Sequence, residues 1–289
     1  MTEKNAGRLG PVGIWAIELR YGDPGQAVEA VAELEELGYG AIWFPGGHGG
    51  DITGDSERLL NATSRVPLAT GIINIWMHEP EDIAAWWLGL PAGQQQRMLL
   101  GLGVSHAPLI GEKWGRPLGV MRDYMDRLDA AGLPKSASCL AALGPKMLEL
   151  ARDRTAGAHP NLVTPEHSAL AREILGPDAL LAPEQGVVLE TDPGRARELA
   201  RGVLRHYRER PNYYNSWKRL GFTDEDMAEL PDRMVDALFA WGTAEKIAER
   251  VREHHAAGAD HVCLQVIQEP GGGARSLLPA WRELAAALL

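Results

Sequence analysis

Helices that end on glycine and lead directly into apolar strands constrain the fold of this chain most strongly. Three segments share this design, at residues 37–43, 156–162 and 257–263. A glycine at a helix C-terminus adopts the left-handed conformation at no steric cost. Two parallel strands cannot be joined by a tight hairpin, so a helix usually connects them and leads back into the next strand. The repeat predicts a parallel sheet surrounded by helices.

Apolar runs alternate with stretches of helical periodicity along the whole chain, and many helices open on a capping residue followed by proline, as at Asp23-Pro24. Strands are predicted at residues 12–18, 40–44, 66–74, 98–104, 136–142, 158–163, 186–190 and 259–267. Helices are predicted at residues 24–37, 55–63, 79–90, 145–155, 165–175, 193–207, 243–257 and 276–289. Eight strands alternating with helices favour one α/β domain over 1–289, a closed (β/α)8 TIM barrel, with a doubly wound open sheet as the alternative.

Residues 208–236 do not fit this repeat and are predicted to be a helical segment inserted between strands seven and eight. Tyr213, Tyr214 and Trp217 of this segment have two interpretations. They form a lid over a site at the carboxyl ends of the strands, or they form an aromatic cluster that covers the outer helices.

The net charge of −10 disfavours nucleic acid or an anionic membrane surface as the main partner, because both would be repelled. No apolar run approaches the roughly 20 residues of a membrane span, and the first residues lack a signal-peptide core, so we expect a cytoplasmic protein that acts on a small molecule. The two cysteines, Cys139 and Cys263, lie in apolar strand-like segments and are predicted to be buried thiols.

The fourth predicted strand, residues 98–104, is apolar at every position and is followed at once by Ser105 and His106. A strand without alternation is buried on both faces, as in a parallel sheet between helices. Ligands bind at the carboxyl ends of such strands. Ser105 and His106 are therefore candidate site residues by position, and a histidine can exchange protons near neutral pH. A structural role is the alternative for His106.

Two junctions between a strand and a helix have the composition of an anion site. Leu143, Gly144 and Pro145 precede one helix, and Asn161 and Thr164 precede the next. Unpaired amides at a helix N-terminus attract phosphate or carboxylate, although a well-capped helix has the same sequence. Zinc motifs, a nucleophile elbow and a Walker loop are absent from the sequence, and Gly101-Leu102-Gly103 lacks the third glycine of a dinucleotide fingerprint, so no metal site is predicted.

Four segments, in order along the chain, resemble the luciferase-like monooxygenase superfamily, and within it the actinobacterial branch that uses the deazaflavin coenzyme F420. These segments are GYGAIWFP at 38–45, LATGIINIW at 68–76, LGLGVSHAP at 100–108 and ALGPKMLELA at 142–151. The resemblance implies a bacterial-luciferase-like (β/α)8 barrel with a flavin or deazaflavin across the carboxyl ends of the strands.

The resemblance also implies positions for the cofactor. The ring would lie on a bulge with a non-prolyl cis peptide at the end of strand three, and the phosphate-bearing tail would lie near the ends of strands five and six. The matching positions, with the end of strand four, are Gly71, Ile72, Ile73, Asn74, Gly103, Val104, Ser105, Leu143, Gly144, Pro145, Asn161 and Thr164. An ordinary apolar strand with one glycine is the alternative for 71–74.

The chain departs from the resemblance at two candidate catalytic positions. Some relatives have a glutamate where this chain has His106. Many deazaflavin relatives end strand two on an Asp-His pair, whereas here 45–47 read Pro-Gly-Gly and His48 follows. Either His48 takes a related role or the contact is missing. Candidate substrate-binding residues are Trp15, Glu18, Trp76 and His78, and packing at the barrel rim is the alternative for the first three.

The sequence leaves three functions open. The first is an oxidoreductase that transfers a hydride between F420 and a small organic substrate, with His106 handling the proton. The second is an FMN-dependent luciferase-like monooxygenase, and the third is a non-catalytic flavin-binding barrel.

Trp86 and Trp87 are large apolar residues on an outer helix, which indicates a homodimer contact unless the barrel buries them.

Overall fold

The chain alternates parallel strands with helices, as the glycine junctions predict. The computed structural model describes residues 9–47, 49–106, 110–111, 115–269 and 271–289. The strands in this part of the chain are β1 (Val12–Trp15), β2 (Ile42–Gly46), β3 (Leu68–Asn74), β4 (Met98–Gly103), β5 (Ser138–Leu140), β6 (Gly157–Ala158), β7 (Leu180–Leu181), β8 (Glu184–Val188), β9 (Phe239–Trp241) and β10 (Val262–Val266).

The helices alternate with the strands along the chain, and most of them have buried residues on one face. They are α1 (Glu18–Tyr21), α2 (Pro24–Leu37), α3 (Ile52–Asn61), α4 (Pro80–Gly89), α5 (Ala92–Arg97), α6 (Pro117–Ala130), α7 (Pro145–Arg154), α8 (Pro165–Leu175), α9 (Pro193–Tyr207), α10 (Pro211–Arg219), α11 (Asp224–Glu229), α12 (Asp232–Leu238), α13 (Ala244–Ala256) and α14 (Ala274–Leu288). A short 3₁₀ helix, Lys135–Ala137, precedes β5. No helix in the described ranges is long and apolar enough to cross a membrane.

All strand pairs are parallel, and the ten strands form one curled sheet in the order β7-β6-β5-β4-β3-β2-β1-β10-β8-β9. The register of β3 against β4 shifts between Ala69 and Ile73, which marks a bulge. Parallel pairing brings the carboxyl ends of the strands to one edge of the sheet, where α/β proteins bind ligands.

One stretch of chain, residues 180–188, bonds to distant parts of the strand order. On one side, the Ala182 amide donates to Ala158 and the Glu184 amide donates to Pro160. On the other side, the Cys263 amide donates to Pro183, and β8 pairs with β10. The sheet therefore curls far enough for β6 and β10 to share this stretch as a neighbour.

Several predicted boundaries are wrong for identifiable reasons. The first strand ends at Trp15 rather than at residue 18, and Glu18 begins the short helix α1. The predicted strand 158–163 is only Gly157–Ala158, because Pro160 has no amide to donate and Leu162 has a φ of 52°. The elements β7, β9, α1, α5 and α6 were not predicted.

Trp86 and Trp87, the candidate dimer residues, differ in exposure. Trp87 is buried and its indole donates to the carbonyl of Met98, so the barrel covers it. Trp86 is half-buried and donates to Glu57. Leu88, the next residue, is 43% exposed and is the larger apolar surface of this helix end. Both cysteines are buried and free.

Candidate functional site

A cavity of about 570 Å³ opens at the carboxyl ends of the strands. Its walls come from the carboxyl ends of β1, β2, β3, β4, β5 and β6, from one residue each of β8 and β10, and from the segment around α10. The structure brings ten of the predicted site residues together here: Trp15, Gly71, Ile72, Gly103, Val104, Ser105, His106, Leu143, Gly144 and Asn161.

The bulge in β3 forms one wall of the cavity. The peptide bond between Gly71 and Ile72 is cis, as the resemblance implies. The indole Nε1 of Trp15 donates to the Gly71 carbonyl at 2.9 Å. A Cβ atom on Gly71 would lie 2.5 Å from that Nε1 and 3.1 Å from Nε2 of His159, so only glycine allows these rings to approach.

Two glycines of β4 make room for the bulge. A Cβ atom on Gly103 would lie 2.5 Å from Cδ1 of Ile72, and one on Gly101 would lie 1.9 Å from the carbonyl oxygen of Thr70. These positions carry the glycines of the LGLG segment. Because these glycines have no side chains, β4 can pack closely against the β3 bulge, and Gly103 adds no side chain to the cavity wall.

Ile73 and Asn74 lie behind the bulge and do not line the cavity. Ile73 is fully buried and pairs with Gly46 and Leu102 in the sheet. The Asn74 amide donates to Gly47 at 3.3 Å and its carbonyl oxygen accepts from the Trp76 amide at 3.1 Å. Both residues therefore support the bulge rather than face a ligand.

His106 faces the cavity at the end of β4. Ser105 before it has a φ of 60°, an uncommon left-handed conformation for a non-glycine residue. The Nδ1 atom of His106 lies 3.2 Å from Oδ1 of Asn212, and its ring centroid is 5.7 Å from that of Tyr213. Burial, followed by the positive charge of Arg210, lowers the pKa of His106 to about 4, against a hydrogen bond to Asn212 that raises it. The imidazole is therefore neutral at pH 7.

The junction after β5 faces the cavity with an arginine beside it. Gly144 is the N-cap of α7 and Pro145 is its first residue, but Pro145 does not line the cavity. Arg219 of α10 donates to the carbonyl of Leu143 at 3.2 Å, and a guanidinium nitrogen lies 3.6 Å from where a Cβ of Gly144 would stand. The site thus combines an open helix N-terminus with a cation, both of which favour an anionic group.

The junction after β6 contributes less. Asn161 lines the cavity, and its amide lies 3.4 Å from the hydroxyl of Tyr213. Thr164 is buried away from the cavity and caps α8 by accepting from the His167 amide at 3.4 Å. The structure therefore places Thr164 as an ordinary helix cap.

Of the candidate substrate-binding residues, Trp15 lines the cavity and the other three do not. Glu18 lies on α1, where burial raises the pKa of its carboxyl. The Trp76 indole donates to the Val104 carbonyl at 2.8 Å. Burial, with the charge of Arg20, lowers the pKa of His78. The candidate catalytic residue His48 lies outside the described residues.

The base of the cavity and one side of its rim consist of residues that were not predicted from the sequence. His159, Glu184 and Gln265 line the base. His159 follows the buried strand β6, the same signal that identified Ser105 and His106, but the strand was predicted to extend past it. The rim residues that come from 207–219 are Tyr207, Arg210, Pro211, Asn212, Tyr213, Asn215 and Arg219.

The aromatic residues of 208–236 have different roles. Tyr213 lines the cavity beside Tyr207 and His106. Trp217 is fully buried and donates to the Leu162 carbonyl at 3.0 Å. Tyr214 points outward and donates to Asp224 at 2.6 Å. Of the three, only Tyr213 lies at the cavity, as the lid interpretation requires, and Trp217 bonds the segment to the loop after β6.

A curled parallel sheet with a cavity at the carboxyl ends of its strands defines an α/β fold that binds ligands at this edge. The family model of the luciferase-like monooxygenases matches residues 7–132 and 134–261. The chain belongs to this family, whose members are oxidoreductases and monooxygenases. The comparison with curated protein sequences gives no match.

Solved structures with the same fold include both deazaflavin and FMN proteins. An F420-dependent secondary alcohol dehydrogenase in complex with an F420-acetone adduct is 15% identical over 97% of this chain and 99% of that one, with a TM-score of 0.75. The coenzyme F420 dependent tetrahydromethanopterin reductase from Methanopyrus kandleri is 14% identical over 97% and 99%, with a TM-score of 0.66. The FMN complex of the oxygenating constituent of 3,6-diketocamphane monooxygenase from Pseudomonas putida is 12% identical over 97% and 99%, with a TM-score of 0.67.

Proposed function

We propose that this protein is an oxidoreductase that transfers a hydride between coenzyme F420 and a small organic substrate. The observation that carries the proposal is the cavity lined by Gly71, Ile72 and His106, in which the β3 bulge forms one wall and Gly71 adds no side chain. A volume of about 570 Å³ lies within the range typical of small-molecule sites.

The charges at the rim fit the phosphate-bearing tail of such a cofactor. Arg210 and Arg219 line the cavity, and neither forms an ion pair with a carboxylate within the part of the chain that the structure describes. Arg210 stacks on Tyr207 at 4.4 Å, which orients it. Two cations without acidic partners, in a chain of net charge −10, favour an anionic ligand near Gly144.

When bound, a deazaflavin supplies a two-electron hydride carrier, and the protein supplies position and proton handling. Trp15 and Gly71 fix the wall against which the ring would lie. Because His106 is neutral at pH 7, it is in the form that can accept a proton. We therefore assign His106 as the base when the substrate is oxidised, with Asn212 as the residue that orients it.

An FMN-dependent monooxygenase is the second candidate, because the FMN-bound structure resembles this chain about as closely as the tetrahydromethanopterin reductase does. A non-catalytic flavin-binding barrel is the third, because strand two ends on Pro45, Gly46 and Gly47 without an Asp-His pair. Titration of the purified protein with F420 and with FMN, followed by fluorescence, separates the three. We expect F420 to bind at a lower concentration. Tighter binding of FMN contradicts the first candidate, and binding of neither at micromolar concentration favours the third.

We also propose that the sheet closes as a single (β/α)8 barrel domain over 1–289, with 180–188 as the seventh strand and β10 as the eighth. The hydrogen bonds of 180–188 to both β6 and β10 support this. The helices α10, α11 and α12 would then form the insertion at 208–236.

We further propose a cytoplasmic homodimer that uses the exposed end of α4 at Leu88. Sedimentation velocity tests this proposal through the mass of the sedimenting species.

A further inference from the structure

The base of the cavity holds a histidine whose outer nitrogen has no hydrogen-bond partner. His159 is 2% exposed, and its Nδ1 lies 2.7 Å from the Ala182 carbonyl, which can only accept. Nδ1 therefore donates to this carbonyl, and in the tautomer with its single proton on Nδ1 the Nε2 atom is an acceptor. Nε2 is buried without a partner in the described part of the chain.

Glu184, the first residue of β8, faces the same space. Its side chain is 5% exposed, and Oε2 lies 3.6 Å from Nε2 of His159, beyond hydrogen-bond distance. The described residues place no arginine or lysine within ion-pair distance of this carboxylate. A buried carboxylate without a cation is costly, so the site favours a ligand that supplies positive charge.

The ring of His159 is held in place, so Nε2 has a fixed direction. It stacks on Trp43 with ring centroids 4.1 Å apart and an angle of 12° between the planes. Nε2 also lies close to Gly71, at 3.1 Å from where a Cβ would stand. Nε2 of His159 and the carboxylate of Glu184 would thus both face a ligand that occupied the cavity beside Gly71.

We propose that His159 and Glu184 form a subsite for a protonated primary amine, which donates one N–H to Nε2 and one to the carboxylate. The proposal rests on the proposed function only in that the cavity takes a small-molecule substrate, and the subsite would hold the polar end of that substrate. A hydroxyl has a single donor and no charge, so it binds more weakly. A carboxylate is excluded by repulsion from Glu184.

The test uses the full chain without cofactor at pH 7 and four probes of similar shape: benzylamine, benzyl alcohol, benzyl methyl ether and benzoate. Affinities come from calorimetry or ligand-observed NMR. Long-range ¹H–¹⁵N spectra follow the ring nitrogens of His159, which are assigned by comparison with His159→Gln. We expect benzylamine to bind at least about tenfold more tightly than benzyl alcohol, because a hydrogen bond to a charged group is stronger than one between neutral groups. We also expect benzylamine to shift the Nε2 resonance of His159.

Glu184→Gln removes the charge at nearly constant volume, and we expect it to abolish the preference for benzylamine over benzyl alcohol. Glu190→Gln is the matched control, because Glu190 already pairs with Arg195 at 3.4 Å and does not line the cavity. If Glu184→Gln does not fold, the ranking of the four probes and the His159 resonance of the unsubstituted protein still decide.

Benzoate that binds as tightly as benzylamine and also shifts the Nε2 resonance of His159, or benzylamine that leaves this resonance unchanged, overturns the proposal. The second result means that the amine does not donate a hydrogen bond to His159. The outcome is separate from the cofactor titration: a protein that binds benzylamine at His159 but neither F420 nor FMN keeps the subsite and loses the proposed function.

Discussion

The indole of Trp15 at the end of β1 donates to the carbonyl of Gly71 in the β3 bulge, over 2.9 Å. The bond joins two strands that are not neighbours in the sheet, since β2 lies between them. It depends on the absence of a side chain at Gly71, where a Cβ would overlap the indole. The contact therefore fixes one wall of the cavity.

Gly71→Ala tests this wall. The new Cβ would stand 2.5 Å from Nε1 and 2.7 Å from Cδ1 of Trp15, so the indole or the bulge must move. We expect a loss of about 1 to 3 kcal/mol in the free energy of unfolding, as for other overpacked sites. We also expect binding of F420 or FMN, whichever binds the parent protein, to weaken at least tenfold in fluorescence titrations.

Gly47→Ala is the matched control, because Gly47 also lines the cavity but a Cβ there meets nothing within 4 Å. We expect the control to change cofactor affinity less than threefold, or about 0.6 kcal/mol. Equal effects of the two substitutions would show that the close approach of Trp15 and Gly71 has no part in binding.

His106→Ala should separate chemistry from binding. We expect turnover to fall by roughly 10² to 10⁴, the range for a lost general base, and cofactor affinity to change only a few fold. Asn212→Ala removes the group beside Nδ1 and should give a smaller loss of turnover. Steady-state kinetics and a cofactor titration on each variant check this, and unchanged turnover in His106→Ala removes the residue from the mechanism.

Arg219→Gln tests the anion site at Gly144. The substitution leaves the helix N-terminus of α7 but removes the nearby cation, so affinity for F420 or FMN should fall about tenfold, and its dependence on salt should weaken. Arg205→Gln is the control, because Arg205 already pairs with Glu198 at 2.8 Å. Equal affinities and salt slopes for the two variants would place the phosphate elsewhere.

Two buried histidines, His254 and His261, contribute to the response of stability to acid. Burial, then nearby charges that include Arg250, lowers the pKa of His254 to about 3, and burial lowers that of His261 to about 4. Between about pH 6.5 and these values the unfolded chain binds protons that the folded chain does not. The free energy of unfolding is therefore highest above about pH 6.5 and falls on acidification.

Urea unfolding at a series of pH values measures this slope. Each histidine contributes up to about 1.4 kcal/mol per pH unit, so His254→Gln should reduce the slope between pH 6 and 4 by about that amount. His206→Gln, on the exposed surface of α9, should leave it unchanged. The expectation fails if the two variants and the parent chain have the same slope.

Local sequence signals predicted the parts of the fold that depend on neighbours in the chain. The helices Pro165–Leu175 and Pro193–Tyr207 begin and end where predicted, because Thr164 and Asp192 cap them and a proline follows each cap. The β3 bulge and its cis peptide came from the resemblance, and the glycines that accommodate it became interpretable only with the packing of Ile72.

The remaining parts depend on long-range packing. Glu184 and His159 meet across two strands that are 25 residues apart, and no local pattern marks them as a pair. Arg219 bonds to the carbonyl of Leu143 from the 208–236 segment, which was predicted to be helical but whose packing position was not predicted. The lowered pKa of His106 depends first on burial and then on the positive charge of Arg210 from the 208–236 segment. Neither cause is evident from the residue type alone.

The crystal structure of this protein with F420 tests the central claim most directly. The account requires the ring to lie against Gly71 and Ile72 beside His106, with the phosphate-bearing tail toward Gly144 and Arg219. A ring bound elsewhere in the cavity, or a tail that points away from Arg219, would contradict it.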